Sequence, residues 1–66
     1  MKVRELFQKE KIDPAFIEAW FDGPYWEKCI NFVEDNWDKE IELLSEKQAA
    51  WLTKILEDCV EKRIEG

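Results

Sequence analysis

Histidine is missing from this 66-residue chain, and Ser45 is its sole serine. Without an imidazole, neither Ser45 nor the thiols of Cys29 and Cys59 has a general base to activate it, so nucleophilic catalysis is not expected. The two cysteines stand thirty positions apart with no Cys-x-x-Cys pair, which falls short of the four close ligands of a structural zinc site. A disulfide between them is the alternative if the chain is exported. Both, however, fall on apolar helical stripes, where a thiol serves as a small core residue. The acidic residues do not follow the spacing of a calcium loop, which also needs a glycine at its turn. Catalysis by paired carboxylates needs a cleft that a helical domain of this length has little room to build. No enzymatic activity, cofactor or metal is therefore expected. Uninterrupted apolar runs are only a few residues long, so neither a membrane span nor a signal-peptide core is expected, and the chain reads as cytoplasmic.

What the chain does have is aromatic area and charge. Hydrophobic residues make up 45% and charged residues 39% of the sequence, too apolar for a disordered tail. A domain near 60 residues buries only about 60% of its unfolded surface. Four Trp, four Phe and one Tyr, each able to bury roughly 150–250 Å², can compensate. Trp20, Phe21, Tyr25 and Trp26 gather around one Asp-Gly-Pro turn. Trp20 and Trp26 lie on apolar stripes and are expected in the core; Phe21 and Tyr25 fit those stripes less well.

Periodicity predicts an all-α domain over residues 1–66, with three or four helices joined by short turns. Val3, Leu6, Phe7 and, less regularly, Ile12 mark a first short helix. Asp13-Pro14 supplies an N-cap and a first-turn proline for a second helix over residues 15–21, which Gly23-Pro24 should stop, the glycine taking a left-handed cap conformation. Trp26, Ile30, Val33, Trp37, Ile41 and Leu44 form the longest stripe. Asp35-Asn36 could end the helix beneath it, so a helix to about Asp35 followed by a turn, an irregular stretch or a short extended piece is expected. Ser45 and Gln48 make a capping box that starts a helix at Glu46. That helix carries Ala49, Leu52, Ile55, Leu56, Cys59 and Val60 on one side and Trp51 at its flank, and should reach Lys62 or beyond.

Net charge is −6, and it is unevenly placed: residues 1–12 sum to +2, residues 13–46 to −8 and residues 47–66 to zero. Glu34, Asp35, Asp38, Glu40 and Glu42 surround Trp37 in an acidic strip. Such a strip either solubilises a hydrophobic protein or steers it toward a basic protein surface. With Phe21, Tyr25, Trp37 and Trp51 as candidate hot-spot rings, these nine residues form the candidate partner-binding set. Apolar surface beyond what so small an interior can enclose makes a homodimer the second expectation. Direct nucleic-acid binding is not expected, because the rings lie within the negative stretch while the cations Lys47, Lys54, Lys62 and Arg63 lie in the last helix.

The segment LSEKQAAWLTKI, residues 44–55, together with Trp37 upstream, resembles small helical segments of phage recombination and replication proteins, such as the C-terminal region of the UvsW-type helicases. The resemblance covers 12 of 66 residues. It implies a helical accessory module beside a nucleic-acid machine, without a motor, since no phosphate-binding loop is present. Small size and acidity also suit an inhibitor that imitates the charge of nucleic acid, an extension that rests on analogy.

Overall fold

A computed structural model describes residues 1–65. Four α-helices, α1 (Val3–Lys9), α2 (Pro14–Trp20), α3 (Pro24–Asp35) and α4 (Glu46–Glu65), make an all-α fold, with one 3₁₀ turn at Ile41–Leu43. None of the described helices is long and apolar enough to cross a membrane.

Each helix end has an identifiable chemical cause. The N-cap of α1 is Lys2, whose ammonium cannot accept from the helix amides, but the carbonyls of Lys39 and Trp37 accept from the Val3 and Arg4 amides, both at 2.9 Å. Two of the donors that any helix leaves orphaned are thus satisfied by a distant loop. Glu5 adds a third contact, its carboxylate accepting from the Lys2 amide at 2.6 Å. At the other end α1 stops three residues before Ile12, because Lys11 turns left-handed at φ 59°. The Ile12 amide then donates to Phe7 and the Lys11 amide to Gln8. This is a Schellman closure, and its apolar pair is Phe7 with Ile12, both buried. Ile12 strays from the helical stripe because it belongs to the cap.

Asp13 caps α2 as expected, its Oδ1 accepting from the Phe16 amide at 2.9 Å. The helix ends one residue earlier than its apolar stripe suggested: Phe21 is already extended, at φ −131° and ψ 145°. Gly23 does take a positive φ, 102°. It does so as the N-cap of α3, not as the terminator of α2. Pro24 follows in the first turn, where its missing N–H costs nothing.

α3 ends at Asp35, and Asn36 closes it by donating from Nδ2 to the Phe32 carbonyl at 2.7 Å. The stripe Trp37, Ile41, Leu44 continues through a turn and the 3₁₀ segment, with Glu40 bridged to Lys2. The capping box of α4 forms with both reciprocal bonds, Ser45 to Gln48 Oε1 at 3.0 Å and Gln48 to Ser45 Oγ at 3.2 Å.

The fully buried core is Val3, Phe7, Ile12, Ile17, Cys29, Val33, Leu52, Ile55 and Cys59. Aliphatic side chains and thiols fill it, and Phe7 is its sole ring. The expectation that Trp20 and Trp26 belong to the core therefore needs correcting: Trp20 is 50% exposed and Trp26 is half-buried. Most of the other rings pack in pairs over the core. Phe21 stacks on Trp26 with centroids 3.9 Å apart, and Phe32 stacks on Trp51 at 4.3 Å. Phe7 meets Trp37 at 5.9 Å, tilted by 52°. Aromatic pairs of this kind add about 0.5–1.5 kcal/mol each beyond their area. Aromatic area stabilises the fold mainly as a shell.

Candidate interaction surface

The nine candidate residues do not form one patch. Asp38 is held by Arg4 at 3.1 Å. Glu40 and Glu42 receive the Met1 ammonium at 2.7 and 3.2 Å. These three carboxylates tie the start of the chain to the loop before α4. These pairs lie at the surface, where the cation beside each carboxylate offsets part of its charge toward a partner. Trp37 faces inward on Phe7, and Trp51 is half-buried against Phe32. Asp35 is exposed at the end of α3. Tyr25 is 48% exposed, with its ring edge-on to Trp26 at 5.4 Å. Phe21 and Glu34 alone among the nine come together in a concave site.

That site is a groove of about 560 Å³ between α2 and α3, closed at one end by the Gly23-Pro24 turn. Glu18, Asp22, Glu27 and Glu34 rim it, and Phe21 and Ile30 contribute its apolar part. All four acids are exposed, and none has a cation within ion-pair distance among the described residues. α2 and α3 are also the pair of helices packed most extensively on each other, so the rim is set on a rigid support. Among the described residues no three carboxylate or thiol groups converge closely enough to hold a metal ion. The carboxylates are spread along the groove, an arrangement suited to several cationic groups on one extended ligand.

Glu18, Asp22, Glu27 and Ile30 are absent from the candidate set drawn from the sequence. A signal for them exists. Glu18, Phe21 and Asp22 stand at i, i+3, i+4; Glu27, Ile30 and Glu34 stand at i, i+3, i+7. Each set has the spacing of one helical face, although α2 ends at Trp20, so that Phe21 and Asp22 reach the groove from the extended stretch after it. Only the packing of α2 on α3, with the extended turn that joins them, brings the two sets to a common cleft.

The cations of α4 are largely engaged. Lys54 lies 3.9 Å from Asp58, the Lys62 ammonium sits 5.8 Å above the Trp20 ring, and the Arg63 guanidinium donates to the Glu10 carbonyl. Both thiols are free and buried. Burial pushes Cys59 up to about 12, with the charge of Asp58 and the neighbouring Cys29 adding to it. Burial likewise raises Cys29, opposed by hydrogen bonding from Tyr25 and Trp51. Neither is poised as a nucleophile, because the reactive form is the thiolate. No protein-family model, curated protein or solved structure matches the chain.

Proposed function

We propose that the protein is a non-enzymatic interaction module whose α2–α3 groove takes a basic segment of another protein. The observation that carries this reading is the division of the acidic residues. Asp38, Glu40 and Glu42 are paired within the molecule, whereas Glu18, Asp22, Glu27 and Glu34 surround an apolar floor without a counter-charge among the described residues. Lysine or arginine side chains would meet the rim while an apolar residue between them meets Phe21 and Ile30. Exposed Tyr25 lies next in sequence to the Pro24 end of the groove and offers a further ring. Electrostatics of this kind raises association rate and selects partners by sign. The same chemistry fits a partner whose basic surface otherwise holds nucleic acid, in which case the protein acts as a charge-mimicking inhibitor.

The test is binding of a fluorescent Lys/Arg-rich peptide with interspersed leucines, measured by anisotropy across a salt series. The doubly reversed Glu27→Lys/Glu34→Lys protein should lose about tenfold or more in affinity, and wild-type binding should weaken with salt. Equal binding by the two proteins removes the groove from consideration.

A further inference from the structure

A second groove lies on the other long helix. Thr53, Leu56, Val60 and Ile64 of α4 line a depression of about 360 Å³ whose opposite wall includes Glu10, from the link between α1 and α2. Ile64 is 78% exposed, and Leu56 and Val60 are half-buried, packed on the core from beneath. The groove shares no lining residue with the α2–α3 site.

We infer that this α4 groove is a separate docking site for a cationic amphipathic helix of another protein. Two observations, an apolar ridge and an acidic rim, select that occupant. Leu56, Val60 and Ile64 repeat every four residues, a ridge running about 12 Å along the helix at 1.5 Å per residue. Such i±4 ridges interdigitate with the matching ridge of a second helix.

The rim supplies the sign of charge. Glu10, Glu57 and Glu61 border the apolar ridge, and none has an ion-pair partner among the described residues. Lys62 is held away from the groove by the Trp20 ring, while the Arg63 guanidinium sits at the Glu10 end, donating to its carbonyl, so the negative rim is carried by Glu57 and Glu61. A second copy of the chain suits the groove poorly. In a symmetric antiparallel pairing of α4 about Val60, Glu57 and Glu61 of both copies fall on the same flank, and like charges oppose each other. A foreign helix with lysines beside its apolar stripe meets no such opposition.

The experiment uses the full chain, labelled with ¹⁵N, and a synthetic helical peptide of about 15 residues, near the minimum for independent helicity. The peptide carries Leu every three or four residues and Lys on both flanks. An isomer of identical composition with its leucines dispersed is the control. Amide shifts should centre on residues 53–64. Ile64→Lys, a substitution at an exposed site, and Glu57→Lys/Glu61→Lys should each weaken binding about tenfold, with unchanged thermal melts. Glu27→Lys/Glu34→Lys should leave the α4 shifts intact, which separates this site from the α2–α3 groove. Shifts confined to α2 and α3, equal binding of the dispersed isomer, or a dimer abolished by Ile64→Lys without peptide would each overturn the inference.

Discussion

The Ile12 amide donates to the Phe7 carbonyl at 3.0 Å across Lys11, a lysine in the left-handed region at φ 59°. A Cβ in that region crowds the following carbonyl, which makes glycine the usual occupant of such a cap. Lys11 is exposed, so its side chain contributes little packing in return. Lys11→Gly should stabilise the fold by about 0.5–1 kcal/mol, after allowing for the added freedom of glycine in the unfolded chain. Urea denaturation should register this as a higher midpoint with an unchanged slope.

The contact of the Met1 ammonium with Glu40 and Glu42 should impose a pH window on stability. Hydrogen bonds donated to the Glu40 and Glu42 carboxylates hold the amine above its ordinary value of 8.0. Its contribution is complete below that value and is lost as pH rises through the raised folded value. Glu42 lies below its ordinary 4.5, chiefly through a backbone hydrogen bond and then the amine itself. Its contribution is present above 4.5 and is lost as pH falls through the lowered folded value. The urea midpoint should therefore sag at both ends of the pH range. Glu42→Gln should flatten the acid limb; an unchanged acid limb in that variant would count against the contact.

Asn36 is 5% exposed, and its amide closes α3 on the Phe32 carbonyl. Asn36→Asp keeps the shape but, when ionised, has no donor to offer. Asn36→Ala removes the group altogether. Each should destabilise by about 1–2 kcal/mol, and the aspartate variant should recover part of the loss at low pH, where its carboxyl can donate. Thermal melts at two pH values distinguish the two variants.

Cys29 and Cys59 should resist aromatic disulfide reagents in the folded protein. Both side chains are fully buried, and burial disfavours the thiolate of each. Labelling should follow the unfolding reaction and become fast in concentrated urea. Rapid modification of either thiol in buffer would contradict the packing of α3 on α4.

Much of the fold is written in local patterns. Asp13-Pro14, the end of α3 near Asp35 and the Ser45/Gln48 box are legible because each depends on residues three or four positions apart. Other features depend on distant partners. The cap of α1 comes from Lys39 and Trp37 carbonyls, and no side-chain code near Val3 announces it. The stripe of Trp37, Ile41 and Leu44 reads as helical, but the loop carrying it is drawn across the start of α1 instead, where Ile41 donates to the Met1 carbonyl at 2.8 Å.

The candidate surface divides along the same line. Sequence alone determines that this chain is helical, negatively charged through its middle and rich in rings, because composition and helical spacing are properties of neighbouring residues. Only the tertiary structure decides which carboxylates are consumed by Met1 and Arg4 and which remain around Phe21 and Ile30. It also decides that Trp20 lies half in solvent beneath Lys62. Charge pairing and burial depend on separations in space, and for residues 34 to 42 positions apart those separations are set by how the helices pack.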